Sequence, residues 1–191
     1  MKLKISATAL LIGSSLLPTA FCQAEINSFD INLSEHAVEG TLDIGGPWQN
    51  THQSISVQYN DDLDRDEDGY TLAYGLYSGG AKGEISGSLG GKAMLIDADI
   101  VDGGALALGG EFRWYFHPEI SLQVRGHLAP SVLSFGDVDR YRELGVHVAF
   151  DLIPNTHIYV GVKTAEAKFE GFKRDAEFQD GINIGFEMKL Q

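Results

Sequence analysis

Apolar side chains recur at every second position along most of this chain, which is the period of a β-strand. The stretch ELGVHVAFDL at 143–152 is the clearest example, because leucine, valine and phenylalanine alternate there with polar or small residues. The same alternation occurs in 105–116, 120–128 and 182–190, and no segment carries a sustained helical period. The sequence therefore predicts an all-β protein.

Ten candidate strands follow from this pattern and from the turn residues between them. They are 26–33, 37–45, 52–60, 69–78, 84–96, 105–116, 120–128, 143–152, 156–168 and 182–190.

Strand length and loop length favour a membrane barrel over a soluble sandwich. The candidate strands run about nine to eleven residues or longer, which is the length that a tilted transmembrane strand needs. Short turns alternate with longer, often acidic loops, as in barrels with short periplasmic turns and long external loops. We expect a closed antiparallel transmembrane β-barrel of ten strands, or of eight if the hairpin 26–45 packs outside the wall. The predicted short turns are 45–50, 78–83, 117–119 and 154–155, and the predicted long loops are 61–68, 97–103, 130–139 and 169–180.

Aromatic residues near the strand ends predict two interfacial girdles. The predicted girdle at the short turns is Trp48, Tyr77, Trp114 and Phe116, and that at the long loops is Tyr59, Tyr70, Tyr141 and Phe169.

The inward register carries small residues and charges of both signs. A narrow barrel requires small residues beside large ones, and the predicted inward glycines are Gly75, Gly109, Gly145, Gly161 and Gly185. Because isolated buried charges are costly, the charges predict either an ion-pair network that plugs the barrel or the lining of a narrow polar channel. They are Lys92, Glu111, Arg113, Arg125, Glu143, Asp151, Lys163, Glu187 and Lys189.

The amino terminus has the layout of a secretory signal peptide. Lys2 and Lys4 precede an apolar run too short to span a bilayer, and small residues follow near Ala24. We expect cleavage after Ala24, leaving one barrel domain over 25–191. Acylation of Cys22 is an alternative, against which the bulky Phe21 counts.

Charge and cysteine content exclude several classes of function. The sequence holds 14 Lys and Arg against 27 Asp and Glu, a net charge of −13. Nucleic acid is not an expected partner, because phosphate binding needs a basic face. The single cysteine, Cys22, excludes a disulfide framework and cysteine-based catalysis in the processed chain.

The stretch DRDEDGY at 64–70 begins like a calcium-binding loop. Position twelve of that loop needs a bidentate acid, and it is Gly75 here, inside a candidate strand. An EF-hand is therefore excluded. Asp64, Asp66 and Asp68 remain a candidate for weak calcium binding, and we expect no other metal or cofactor.

A histidine beside a carboxylate on paired strands is a candidate general base. If the strands around 119–130 and 140–153 pair, His127 lies next to Glu143 on the inner face, near Arg125 and His147. Ser131 and Ser134 are then candidate nucleophiles. A hydrogen-bonded interior histidine is the simpler interpretation, and we expect no enzyme activity.

Three stretches resemble the YfaZ family of bacterial outer-membrane proteins. They are DGGALALGGEFRWYFH at 102–117, GHLAPSVLSFGDVDRY at 126–141 and IPNTHIYVGVK at 153–163. LAPSVLSFGD is the most specific, because strand periodicity does not predict it. The resemblance implies a small antiparallel barrel in the outer membrane and transfers no catalytic or ligand residue.

The last strand is similar to the assembly signal of outer-membrane barrels. Asn183, Gly185, Met188 and Leu190 fit its polar, glycine and hydrophobic positions, although the chain ends Leu190-Gln191 rather than in Phe or Trp. The expected partners are the barrel-assembly machinery, through Asn183–Leu190, and outer-membrane lipid with lipopolysaccharide.

The expected function is structural or envelope-associated with a largely plugged interior. The alternatives are a narrow porin-like channel, a surface-binding protein acting through loops 61–68 and 130–139, or a lipid-modifying enzyme.

Overall fold

In the computed structural model, the described residues are 26–45, 50–62, 68–98, 101–169 and 175–190. The predicted signal peptide, Trp48, Asp64 and Asp66 lie outside these ranges. Alternation of apolar and polar residues produces eleven strands, of which ten form the barrel wall and one is short. They are β1 (Ile26–Ser34), β2 (Ala37–Gly45), β3 (Thr51–Asn60), β4 (Gly69–Lys82), β5 (Ile85–Ala98), β6 (Val101–His117), β7 (Ile120–Ala129), β8 (Ser134–Gly136), β9 (Val138–Ile153), β10 (Thr156–Phe169) and β11 (Asp175–Lys189).

Antiparallel pairing between neighbours closes the sheet on itself. Each wall strand pairs with the next along the chain, β7 pairs directly with β9, and β1 pairs with β11 to complete the ring. Closure leaves no long free sheet edge, which is what a lipid environment demands. The ten-strand prediction is confirmed. The eight-strand alternative is wrong, because β1 and β2 belong to the wall.

The two ends of the barrel differ less in loop length than predicted. We call the end with residues 83–84, 118–119 and 154–155 the turn end, and the opposite end the loop end. At the loop end β5 and β6 are separated only by residues 99–100, and β10 and β11 by 170–174. The predicted loops 97–103 and 169–180 are therefore too long, since pairing extends these strands beyond their regular apolar pattern.

Burial alternates along the strands as the pattern predicts. On β9, Glu143, Gly145 and His147 are buried, whereas Leu144 and Val146 are exposed. Large apolar side chains therefore cover the outside of the barrel. Within the described ranges, no helix combines the length and apolar character that crossing a bilayer requires.

Three of the predicted girdle aromatics are inside the barrel. Tyr77, Tyr141 and Phe169 are buried. Each lies on the inward register of its strand, as Tyr141 does two positions before the inward Glu143 on β9. Trp114, Phe116 and Tyr70 are exposed as predicted, and Tyr59 stacks on Tyr70 with ring centroids 5.0 Å apart.

The LAPSVLSFGD segment folds back over the wall at the loop end. Ser131–Leu133 forms a single 3-10 turn, and β8 then pairs with residues 103–105 of β6. Gly136 has a φ of 70°, and a β-carbon there would lie 2.7 Å from the Gly103 Cα. Only glycine meets both requirements, which explains the glycine of this motif.

Candidate functional site

The interior of the barrel is the candidate site, and its loop end is closed by apolar side chains. Inward residues of β4–β7 and β9–β11 pack there into one cluster, which we call the plug. Among the described residues it comprises Ala73, Met94, Ile96, Ala105, Ala107, Ala129, Val138, Tyr141, Ala165, Ala167, Phe169 and Phe178. These side chains fill the space where a channel would need to remain open.

Strand β11 contributes to the plug through a bulge. Its register with β10 shifts beside Phe178, so that Phe178 and Gln179 are both buried. The carbonyl of Phe178 accepts hydrogen bonds from the Gln58 and Asn60 amides at 2.8 and 2.7 Å. These bonds join β3 to β11 across the interior, with β1 and β2 lying between them in the wall.

Below the plug lies a buried set of charges that we call the charge cluster: Glu39, Lys92, His127, Glu143 and Lys163. Glu143 is its centre, since it accepts a hydrogen bond from Lys92 and lies 3.3 Å from the Lys163 Nζ. Lys163 also donates to Glu39 at 2.5 Å. Two lysines thus balance two glutamates, as burial of charge requires.

Some ion pairs of the interior join strands that are not neighbours in the wall. Lys92 on β5 and Glu143 on β9 are separated in the wall by β6 and β7. Nearer the turn end, Arg113 on β6 donates to Glu187 on β11 at 2.5 Å, with three wall strands between. Such bonds hold opposite walls together and occupy the axis of the barrel.

His127 has the neighbour that the strand pairing predicts. It lies opposite Glu143 in the β7–β9 register, with Nδ1 at 3.5 Å from a Glu143 oxygen. Its Nε2 is 2.9 Å from the Tyr77 hydroxyl. Ser131 is exposed at the loop end, and the Ser134 hydroxyl donates to the Pro130 carbonyl at 3.3 Å. Neither of the two candidate serines therefore lies beside His127.

The other predicted interior charges lie toward the turn end. Arg125 is 3.5 Å from Glu111, its partner on β6, and Asp151 is hydrogen-bonded to His157. Lys189 is exposed at the mouth. The described side chains include no group of three His, Cys, Asp or Glu arranged as metal ligands. Because Asp64 and Asp66 lie outside the described ranges, calcium binding there stays a prediction.

Each predicted inward glycine accommodates a ring. A β-carbon at Gly75 would lie 2.4 Å from the Tyr77 ring, and one at Gly185 2.3 Å from the Tyr159 ring. A β-carbon at Gly109 would lie 2.7 Å from the His127 ring. A β-carbon at Gly145 or Gly161 would lie 2.9 or 2.7 Å from the His147 ring. The glycines thus make room for the rings that reach into the interior.

Sequence reasoning missed inward polar residues on the first two strands. Asp30, Glu39 and Asp43 all face the interior, and the Tyr159 hydroxyl donates to Asp30 at 2.9 Å. The alternation of Phe29, Ile31 and Leu33 with polar residues is present in β1, so the same pattern would have identified Asp30.

A water-accessible cavity occupies the turn end. This cavity, the vestibule, has a volume of about 430 Å³, and Arg113, Gln123, Arg125, Glu187 and Lys189 are among its lining residues. An inner chamber of about 80 Å³ lies between the vestibule and the charge cluster. Glu111, Arg113, Arg125 and Glu187 line both spaces. In the described part of the barrel, the vestibule and the inner chamber thus form one space, which we call the cup, that opens at the turn end.

Comparison with protein families identifies the chain. The family model described as YfaZ precursor matches residues 3–190, nearly the whole length. The chain belongs to the YfaZ family. The resemblance found in the sequence is thus confirmed, and this family member is a β-barrel whose apolar outer face meets membrane lipid. No curated protein matches it.

Two solved barrels are similar at low identity. The outer-membrane channel DcaP of Acinetobacter baumannii shares 9% identity with a TM-score of 0.44, over 84% of this chain and 54% of that one. The NanC porin shares 10% identity with a TM-score of 0.43, over 86% of this chain and 98% of that one. The chain thus spans about half the length of the DcaP chain.

Proposed function

We propose that this YfaZ family member is a bacterial outer-membrane barrel that serves the envelope structurally and does not conduct ions. The plug supports this proposal, because among the described residues it packs apolar side chains into the loop end of the interior, where a channel would need water. The Lys92–Glu143 and Lys163–Glu39 pairs add a second layer across the axis. A conducting pore of this size needs a hydrated polar lining throughout.

The orientation and partners belong to the same proposal. The loop end faces outward and the turn end faces the periplasm, as in barrels of this kind. Acidic side chains at the loop end, such as Asp61 and Asp62, share divalent cations with lipopolysaccharide phosphates. The barrel-assembly machinery recognises Asn183–Leu190, the part of the chain that closes the ring against β1.

No catalytic role is part of this proposal. The two ring nitrogens of His127 face Tyr77 and Glu143, which orient the ring within the wall-to-wall network. In the described residues no serine hydroxyl is hydrogen-bonded to it.

Single-channel conductance of the refolded barrel in a planar bilayer tests the proposal. Heat-modifiable gel migration first establishes that the barrel is folded, and a folded barrel should then show no current steps. Stable steps whose ion selectivity changes in Arg125→Glu would overturn the proposal and favour the narrow porin, for which the vestibule is the supporting observation.

A further inference from the structure

The charges that line the vestibule and the inner chamber are distributed unequally along the axis. Glu39 and Glu143 are neutralised by Lys92 and Lys163 within the charge cluster. Arg113 and Glu187 neutralise each other. The remaining charges therefore decide which ligand the cup favours.

Carboxylates are in excess in the inner chamber. Asp43 accepts a hydrogen bond from the Ser28 hydroxyl at 2.9 Å, and Asp30 accepts one from Tyr159. Neither has an ion pair within 4 Å among the described residues. Arg125 lines the same chamber as Asp30, Asp43 and Glu111 and lies 3.5 Å from Glu111, so three carboxylates share the chamber with one arginine that is not paired elsewhere in the described part of the chain. This excess favours a cationic group.

The mouth of the vestibule has the opposite character. Lys189 lines it and forms no ion pair within the described part of the chain. Gln123 and Asn50 add amide groups to the same lining. An anionic group at the mouth would therefore form a charge-assisted contact with Lys189, whose ammonium has no described carboxylate within 4 Å.

We propose that the vestibule and inner chamber bind a small zwitterionic solute that enters from the turn end. Its ammonium group lies in the chamber against Asp43 and Asp30, and its carboxylate lies at the mouth against Lys189. The volume of about 430 Å³ is within the usual range for small-molecule sites. Because the plug closes the loop end, the solute leaves by the way it entered.

This inference goes beyond the proposed structural role and does not depend on it. Binding in detergent requires only the folded barrel, whereas the structural role depends on electrical silence in a bilayer. A silent barrel that binds no solute would remove the inference alone, and a conducting barrel would remove the proposed function alone.

The test is isothermal titration calorimetry of the refolded barrel in a non-ionic detergent with three matched probes. 6-Aminohexanoate carries both charges, whereas hexylamine and hexanoate carry one each. We expect 6-aminohexanoate to bind about tenfold more tightly than either, since a charge-assisted hydrogen bond contributes about that factor. Equal affinity for the three probes, or no heat from 6-aminohexanoate, would overturn the inference.

Variants assign the two ends of the ligand. Asp43→Asn should abolish the preference for 6-aminohexanoate over hexanoate, and Lys189→Gln should abolish its preference over hexylamine. Lys168→Gln, which removes a lysine near the loop end, is the matched control and should change neither. If Asp43→Asn fails to fold, Lys189→Gln at the exposed mouth still tests the inference. An unchanged preference of this variant for 6-aminohexanoate over hexylamine would contradict the assigned orientation of the ligand.

Discussion

Lys163 on β10 donates a hydrogen bond of 2.5 Å to Glu39 on β2, on the other side of the barrel interior. Two wall strands, β11 and β1, separate these residues in the sheet. The side chain of Lys163 is 4% exposed and that of Glu39 is 10% exposed. The barrel is therefore held together through its interior as well as by the hydrogen bonds of its wall.

The first prediction concerns the centre of the charge cluster. Glu143→Gln removes a charge shared by Lys92 and Lys163 and leaves two buried lysines to one glutamate. We expect a loss of about 3 kcal/mol in the free energy of unfolding, measured by urea titration in lipid vesicles. Glu166→Gln breaks an exposed pair with Arg142 and should cost at most about 1 kcal/mol. Equal losses would show that the network does not stabilise the barrel.

The second prediction tests the space around an inward glycine. A β-carbon at Gly161 would lie 2.1 Å from the Val146 carbonyl and 2.7 Å from the His147 Cα. Gly161→Ala should therefore destabilise the barrel by about 1–3 kcal/mol, as overpacking does. Gly40→Ala meets nothing within 4 Å and should be neutral or stabilising by about 0.5 kcal/mol. Heat-modifiable migration on gels compares the two, and a less stable Gly40→Ala would contradict this explanation.

The third prediction concerns the plug. Phe178→Ala should cost about 3–5 kcal/mol, because it leaves a cavity in a fully packed region. Phe135→Ala, at a half-exposed ring of β8, should cost about 1 kcal/mol or less. Urea titration measures both values.

Phe178→Ala should remain electrically silent in a planar bilayer, since the pairs of the charge cluster still cross the axis beneath it. Current steps in this variant would show that the plug alone closes the barrel.

The fourth prediction distinguishes lipid-facing from loop residues. Leu108 is 61% exposed near the middle of β6, and Val132 is 85% exposed in the 3-10 turn at the loop end. Leu108→Arg should destabilise the inserted barrel by about 2–4 kcal/mol, and Val132→Arg by about 0–1 kcal/mol. The measurement is urea unfolding from vesicles. Similar values for both variants would be evidence against a membrane boundary between these positions.

Local patterns predicted most of the wall and part of the site. Alternation placed Leu144 outside and Glu143 inside, and the expected pairing of neighbouring strands placed His127 beside Glu143. The same pattern was available for Tyr141 and Phe169, which the girdle assignment wrongly placed at the membrane interface. The extensions of β5, β6 and β11 were not predictable from alternation, because paired partners rather than apolar residues continue these strands.

What the sequence by itself determined is the inside or outside position of each strand residue, because the period of two is a property of the local backbone. It also determined the barrel class and the family. Only the tertiary structure decided that Lys163 meets Glu39, that Arg113 meets Glu187 and that Phe178 closes the loop end. Contacts across the interior depend on how strand number, tilt and stagger close the sheet. These quantities belong to the whole ring and to no single segment of the chain.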